Sequence, residues 1–414
     1  MDTIKIIVQV IVIIMIFKFP YKTSTDIIEL DENTVNKLID EFQPDDLVEH
    51  LPPSQLLDRN YCLDFVDLSN YDAFNIKNNY KNDLKEIVKE YGIGTCGPPN
   101  FYGTLDLHIE LESTIAQVLG TEKALIYSNY YSCLTSVISC FCHNNDRVFY
   151  QKTANEAILR GLYVSKARTF EFKSLDSLET MLEIFIKPNV RNYVVVEGLS
   201  KNTGAVLNLP LLLNLKKKYK FRIILDEAYS IPLVHKRGLS GHYNIDIREI
   251  DIVVGSFACG FPSNGGFFAG SKLVSEYQQI SSSAYVFSAS LPAVFTKFNM
   301  LAISQDYDCD RLRWLTSVFH KEFVSEHFKI VSKKISPIII IAINEMKVDH
   351  LKEKNLLQCV YLAKHNLHSK KIYVGINKNP IPSIRVILKI DFLEKDVKEL
   401  ATLISKTCED VYLN

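Results

Sequence analysis

Residues 255–270 read GSFACGFPSNGGFFAG, and this stretch decides how the rest of the chain is interpreted. The stretch contains five glycines, and four of them stand with one proline between two apolar runs, at 252–254 and 267–269. Such a segment lets the backbone turn sharply and pass close to another group, as loops beside a ligand do. Yet the stretch contains no Lys, Arg, His, Asp or Glu that could act as an amine, an acid or a base. The sequence therefore predicts a loop with the shape of a cofactor site and no charged group of its own.

Short apolar runs alternate with helical stretches around this loop. The runs are ALIY (124–127), RVFY (147–150), TFEF (169–172), YVVVEG (193–198), FRIILDE (221–227) and DIVVGSF (251–257). This alternation predicts an α/β fold with a mainly parallel central sheet and helices on both faces. Ligands of such sheets bind at the carboxyl ends of the strands. The turn at 128–132, Asp226 and the loop at 255–270 should meet there.

The pattern changes along the chain and predicts four segments. Residues 1–22 form a hydrophobic membrane anchor, and residues 23–90 form a polar linker and docking segment. Residues 91–304 form the large α/β domain, and residues 305–414 form a smaller α+β domain around ISPIIIIAIN and SIRVILKID.

Composition excludes several classes of function. The 47 Lys and Arg residues and 48 Asp and Glu residues give a formal net charge of -1, which predicts no general attraction to nucleic acid. The nine cysteines are odd in number and scattered, as expected for reduced thiols in a protein facing the cytosol. No spacing of Cys and His residues predicts a metal site.

The apolar block IKIIVQVIVIIMIF at residues 4–17 predicts a membrane anchor. It is shorter than the roughly 20 apolar residues that a spanning helix usually needs. The following segment FKFPYKTS lacks the small residues of a signal-peptide cleavage site. We therefore expect an uncleaved anchor that either spans the membrane or lies in one leaflet.

Asp226 is a candidate site residue because it ends an apolar strand, where an ionised carboxylate is costly without a partner. One interpretation makes it a cap for the following turn. The other makes it the partner of a protonated ring nitrogen, as in proteins that hold pyridoxal 5'-phosphate (PLP) as an electron sink.

Several motifs resemble those of the α-oxoamine synthases, PLP-dependent enzymes of aminotransferase-like fold. They are YGIGTCGPPNFYGTLDLHIELE (91–112), VVVEGLSKNTGAVLNLP (194–210), ILDEAYS (224–230), the loop at 255–270 and YVFSASLP (285–292). The similarity runs from about residue 40 to 410 in consistent order. The first motif is typical of the serine palmitoyltransferase branch, and EFQPDDLV (41–48) resembles its non-catalytic long-chain-base subunits.

The resemblance implies that this chain has lost the reactive groups of the PLP site. Cys259 stands where the family has the lysine that forms the Schiff base, and Asn155 stands where it has the histidine that stacks on the cofactor ring. Tyr229 replaces a second histidine, and Tyr130 replaces a glycine of the turn after the first strand. Asp226 and the phosphate-contacting hydroxyl of Ser256 remain as a remnant of cofactor binding.

The resemblance also implies a contribution to the active site of a partner subunit, because the family's sites lie at a dimer interface. The loop GTCGPPNFYGT (94–104) is the expected contributor, with Cys96, Phe101 and Tyr102 reaching the partner's site. Cys96 can alternatively be a small buried packing residue. The family usually has Arg and Gly where Pro99 and Asn100 stand.

Arg385 aligns with the arginine that holds the amino-acid carboxylate in catalytic members, but the residues after it depart from the family pattern. An arginine in a strand is also commonly a surface or salt-bridge residue. Both interpretations stay open at the level of sequence.

The expected function is that of a non-catalytic subunit. A lysine-bearing partner would hold PLP covalently and condense L-serine with palmitoyl-CoA to 3-ketodihydrosphinganine, the first step of sphingolipid biosynthesis. The expected location is the endoplasmic reticulum membrane, with the globular part facing the cytosol. The alternatives are a pure membrane scaffold or regulatory pseudoenzyme, and an autonomous α-oxoamine synthase.

Deleting residues 1–22 should release the protein from membranes without unfolding it, because the predicted α/β domain begins at residue 91. Membrane flotation of the full and truncated chains, each expressed without a partner, measures this. A truncated chain that still floats with membranes would contradict the anchor assignment, and the same assay with the partner present measures what the partner contributes.

Overall fold

A computed structural model describes residues 31–42, 65–344, 353–378 and 380–413. The chain divides into two compact units, residues 1–63 and residues 64–414. The described part of the first unit contains helix α1, Glu32–Glu41, whose side chains are largely exposed. Within the described residues, no helix is both long and apolar enough to cross a membrane. The anchor predicted at 1–22 lies outside those residues.

The second unit is built around a seven-stranded sheet with the order β2-β8-β7-β6-β5-β3-β4. Its strands are β2 Lys123–Tyr127, β3 Arg147–Gln151, β4 Arg168–Phe172, β5 Asn192–Glu197, β6 Arg222–Asp226, β7 Ile252–Ser256 and β8 Gly266–Gly270. All neighbours pair in parallel except β8, which is antiparallel to β2 and β7. Every residue of β5, β7 and β8 is buried, as expected for strands covered on both faces. The predicted mainly parallel sheet is confirmed.

Helices connect and cover these strands. They are α2 Lys81–Tyr91, α3 Asp106–Leu119, α4 Tyr130–Phe141, α5 Glu156–Ser165, α6 Leu175–Phe185, α7 Leu209–Tyr219, α8 Gly238–His242, α9 Lys272–Ser281, α10 Ser283–Val286 and α11 Ala293–Ser304. Two short 3₁₀ segments lie at Ile76–Asn78 and Ile247–Glu249. In α3, the buried residues Leu107, Leu111, Ile115 and Leu119 recur at helical spacing, so one face of the helix packs on the core.

The C-terminal part of this unit is α+β, as predicted. Its helices are α12 Cys309–Glu322, α13 Glu353–Ser369 and α14 Glu394–Leu413. A four-stranded antiparallel sheet has the order β12-β13-β10-β9, with β9 Phe328–Ile330, β10 Ile338–Ile343, β12 Gly375–Asn377 and β13 Ser383–Ile387. A parallel pair joins β1 Val66–Asp67 to β11 Ile372–Tyr373. Residues before 91 therefore contact the C-terminal part, and the division at residues 90 and 304 stays a prediction.

The glycines of the 255–270 stretch allow the chain to approach itself. A Cβ atom on Gly260 would lie 2.0 Å from the carbonyl oxygen of Ile231, and one on Gly266 would lie 2.6 Å from the Cα of Tyr130. Gly265 has a φ of 108°, which side chains rarely allow. The rings of Phe257 and Phe261 are buried and pack 5.6 Å apart. The glycines of this loop are therefore needed for close packing within the chain.

Candidate functional site

Three polar residues end three neighbouring strands at the carboxyl edge of the large sheet. Glu197 ends β5, Asp226 ends β6 and Ser256 ends β7. Glu197 and Asp226 stand directly opposite each other in the parallel β5–β6 pair. Both carboxyl groups are almost completely buried. Asp226 and Ser256 were predicted from the sequence and Glu197 was missed, although it shows the same signal of an acidic residue ending an apolar strand.

The Asp226 carboxylate takes its hydrogen bonds from this chain. The Tyr130 hydroxyl donates to Oδ2 at 2.7 Å, and the Asn155 amide donates to the same oxygen at 2.8 Å. The backbone N–H of Ala228 donates to Oδ1 at 3.0 Å. The bond from Ala228 fits the interpretation of Asp226 as a cap for the following turn, while its other oxygen accepts from two side chains at the sheet edge.

Asn155 is held in one orientation by helix α5. Its side-chain oxygen accepts from the backbone N–H groups of Ala157 and Ile158, at 3.0 and 3.1 Å, and so caps the first turn of the helix. Its NH₂ group is thereby directed to Asp226 and to Oε1 of Glu197, the latter at 3.1 Å. The residue at the expected ring-stacking position thus joins two buried carboxyl groups.

Burial controls the charge of this cluster. It raises the pKa of Asp226 to about 6 and, with the adjacent Asp226 charge as the next cause, raises the pKa of Glu197 to about 8. Glu197 is therefore the neutral member of the pair at pH 7. Its second oxygen, Oε2, is buried and has no hydrogen-bond partner among the described residues.

Cys259 lies beside this cluster with Ser256 and Tyr229. Burial raises the pKa of its thiol, although hydrogen bonds with Ser256 and Tyr229 oppose the rise. The Ser256 hydroxyl accepts from the backbone N–H of Ala258 at 3.0 Å. The thiol is thus neutral, and the hydroxyl expected to contact a phosphate is used in the turn after β7.

Arg385 connects to the same region through the rings of two tyrosines. Its guanidinium lies 4.7 Å from the centre of the Tyr71 ring, and that ring lies 4.8 Å from the ring of Tyr229. It donates to the Asn377 side-chain oxygen at 3.2 Å and to the Ser69 carbonyl oxygen at 3.3 Å. These acceptors are neutral, and Arg385 forms no salt bridge with another residue of the described ranges.

These residues do not fit a covalently bound PLP. The cofactor requires an amine for the Schiff base and a carboxylate free to face its ring nitrogen. The loop at 255–270 offers a neutral thiol instead of an amine. Oδ2 of Asp226 already accepts from Tyr130 and Asn155. Of the expected cofactor-binding remnant, the Asp226 carboxylate is therefore occupied by bonds within the chain, whereas the bond from Ala258 uses the Ser256 hydroxyl only as an acceptor, so its contact with a phosphate stays a prediction.

The loop at 94–104 presents its aromatic residues outward while its backbone is fixed. Phe101 is 66% exposed and Tyr102 is 75% exposed. The backbone N–H of Ser290 donates to the Gly97 carbonyl at 2.9 Å, and the Asn100 amide donates to the Gln279 carbonyl at 3.2 Å. A Cβ atom on Gly103 would lie 1.9 Å from the Gly97 carbonyl oxygen, so the loop closes tightly on itself.

Cys96 lies in this loop with a φ of 54° and is exposed. The interpretation of Cys96 as a small buried packing residue is therefore wrong for the single chain. Among the described residues, the loop makes no hydrogen bond with the Asp226 cluster. Its exposed side chains, Cys96 included, are available to another molecule.

Glu197→Gln should make stability less dependent on pH between 6 and 8. The raised pKa of Glu197 means that the folded state keeps a proton that the unfolded state releases, so stability falls as pH rises through this window. The amide removes that loss, which is at least about 1 kcal/mol because one pKa unit corresponds to about 1.4 kcal/mol. Urea unfolding at pH 6 and pH 8 measures the difference.

The matched control is Glu90→Gln, which changes an exposed carboxylate on α2 and should leave the pH dependence unchanged. Equal slopes for Glu197→Gln and the unsubstituted chain would contradict a neutral Glu197.

Comparison with known proteins identifies the family. The model of the family "Aminotransferase class I and II" matches residues 69–380. Serine palmitoyltransferase 1 of Dictyostelium discoideum is 30% identical, over 97% of this chain and 92% of that protein. Long chain base biosynthesis protein 1c of Oryza sativa subsp. japonica is also 30% identical, over 92% of this chain and 86% of that protein.

Solved structures show the same fold at lower identity. The serine palmitoyltransferase of Sphingomonas wittichii superimposes with a TM-score of 0.76 at 20% identity, covering 84% of this chain and 88% of that one. A variant of the S. paucimobilis serine palmitoyltransferase, bound to a PLP–myriocin aldimine, gives a TM-score of 0.75 at 20% identity, covering 84% and 89%. The chain belongs to the aminotransferase class I and II family and, within it, to the family of serine palmitoyltransferase 1 and long chain base biosynthesis protein 1.

Proposed function

We propose that this chain is the non-catalytic subunit of a serine palmitoyltransferase. A lysine-bearing partner condenses L-serine with palmitoyl-CoA to 3-ketodihydrosphinganine, and PLP is bound covalently to that partner. The observation that carries the proposal is the Asp226 cluster, in which Tyr130 and Asn155 already satisfy the carboxylate beside a neutral Cys259 thiol. When bound to the partner, PLP supplies the electron sink for the carbanion formed from serine.

The exposed side chains around the 94–104 loop support an interface with that partner. Several large apolar residues of this region are more than 60% exposed, namely Ile93, Phe101, Tyr102, Ile109, Ile280 and Phe287. A cavity of about 200 Å³ lies among Pro99, Asn100, Ile109, Gln279 and Ser290, so these segments are neighbours. Groups of exposed apolar and aromatic side chains are typical of protein–protein interfaces.

The role of this chain at the interface is to shape one wall of the partner's site. The backbone of the 94–104 loop is held at Ser290 and Gln279, so the loop carries its exposed rings in fixed positions. Fixed rings can orient a substrate and exclude water without taking part in proton transfer. The second candidate, a scaffold or regulatory pseudoenzyme, shares the apolar face but contributes nothing to the partner's site.

We place the complex at the endoplasmic reticulum membrane, with the globular part in the cytosol. The support is the apolar block at residues 4–17 and the scattered free cysteines, of which Cys133, Cys140 and Cys142 are buried thiols. The autonomous enzyme is disfavoured because the Asp226 cluster does not fit a covalent cofactor.

Borohydride reduction of the purified complex should leave a pyridoxyl-lysine adduct on the partner and none on this chain. The reason is that Cys259 cannot form a Schiff base and that Tyr130 and Asn155 occupy Asp226. Peptide mass spectrometry of the two separated subunits measures the adduct. Cys259→Lys in this chain should not create one, because the bonds to Asp226 remain. An adduct on any lysine of the unsubstituted chain would contradict the assignment.

Cys96→Trp should reduce serine condensation by the complex on the order of a hundredfold, because a displacement of about 1 Å at reacting groups costs about that much. Its effect on this chain alone should be small, since Cys96 is exposed. The measurements are acyl-CoA-dependent condensation and the amount of partner that co-purifies.

Cys96→Ala is the matched control, and it should retain most activity because side-chain volume, and not the thiol, decides the effect. Full activity of Cys96→Trp with normal recovery of the partner would show that the loop does not reach the partner's site. The scaffold function would then be the better proposal.

A further inference from the structure

A second cleft lies apart from the apolar face, between the large sheet and the small antiparallel sheet. Its volume is about 430 Å³, within the range of small-molecule sites. Four of its lining residues are cationic, namely Lys152, Lys201, Lys378 and Arg385. Glu156 is the one acidic residue among the described residues that line it. The cleft therefore carries a formal excess of three positive charges.

Lys201 contributes a charge that is in no ion pair with another described residue, although at longer range it opposes the rise that burial causes in the pKa of Asp226 and Glu197. It follows β5 in the segment GLSKNTG and is half-buried. Within the part of the chain that the structure describes, its ammonium has neither a hydrogen bond nor an ion pair. The backbone around it is fixed, because the Asn377 amide donates to the carbonyl oxygens of Lys201 and Asn202 at 3.3 and 3.2 Å.

Arg385 adds a second charge that has no carboxylate partner within the described ranges. Two of its nitrogens donate to neutral oxygens, those of Asn377 and Ser69, and its Nε is buried with no hydrogen-bond partner among the described residues. A partly buried charge is usually paired, since its desolvation costs free energy. Both Lys201 and Arg385 are thus joined through Asn377 and lack an ion-pair partner among the described residues.

Each of the two other lysines has a contact with a residue that does not line the cleft. Lys152 has its carboxylate neighbour, Glu171, at 3.6 Å, and this pair is about half exposed. Lys378 is exposed, and its ammonium lies 5.9 Å from the centre of the Tyr361 ring. They surround the cleft with positive potential, while Lys201 and Arg385 provide donors that can bind an anion directly.

We propose that this cleft binds a small phosphorylated metabolite. A phosphate group carries up to two charges and several acceptor oxygens, which matches an excess of three cationic charges better than a single carboxylate does. The cleft's volume of about 430 Å³ is large enough for a small molecule. The proposal needs only this chain's own residues and does not rest on the proposed function.

Calorimetric titration of the purified full-length chain, with its partner present, tests the site with inorganic pyrophosphate as the probe. We expect saturable binding that weakens as sodium chloride is raised, because exposed charges are screened. Lys201→Gln should weaken one class of sites at least tenfold. It should change the melting temperature little, because the Lys201 ammonium has no hydrogen bond or ion pair among the described residues and acts on Asp226 and Glu197 only at longer range. L-serine, which carries one carboxylate, should compete poorly.

Lys217→Gln is the matched control, because Lys217 is an exposed lysine on α7 that does not line the cleft. It should bind pyrophosphate as the unsubstituted chain does. Arg385→Gln is a second variant, and a loss of binding there counts only if the protein still melts cooperatively. The proposal is overturned if no saturable binding occurs, if Lys201→Gln and Lys217→Gln bind equally, or if L-serine competes as well as pyrophosphate.

Discussion

The buried carboxylate of Asp226 is the constraint around which the site is arranged. It ends a strand that is covered on both faces, so its hydrogen-bond donors must come from the protein. Tyr130 and Asn155 provide them, each from the first turn of a helix or from its cap. The positions of α4 and α5 against the sheet edge therefore depend on bonds to this one group.

The same constraint explains why a cofactor-shaped loop persists without the residues for cofactor chemistry. Gly266 lies against the backbone of Tyr130, and Gly260 lies against the carbonyl of Ile231, so the loop is part of the packing around the Asp226 cluster. A side chain at either position would push the loop away from the sheet edge. Selection for a stable fold alone would keep such glycines, whichever subunit carries the reaction.

Two surfaces outside the Asp226 cluster are available to bind other molecules, and their chemistry differs. The loop at 94–104 and its neighbours expose rings and aliphatic side chains, which suit a protein partner. The cleft beside Lys201 and Arg385 exposes cationic groups, which suit a small anion. Phe101 and Lys201 lie on connections between regular elements, where a side chain is free to serve binding because the core does not need it.

The sequence by itself determined the mainly parallel sheet, the residues that end its strands and the absence of an amine in the 255–270 loop. These follow from the periodicity of apolar residues and from residue type, which are local properties of the chain. The sequence did not reveal Glu197 as the neutral partner of Asp226, since that depends on the register of two adjacent strands. It also did not reveal that the Ser256 hydroxyl accepts a hydrogen bond from the backbone of its own turn. Only the tertiary structure decided that Tyr130 fills the position beside Asp226, that Cys96 is exposed, and that Lys201 and Arg385 share one cleft. Each of these depends on which distant segments meet, and residues 130 and 226, or 201 and 385, are brought together by the packing of the whole unit.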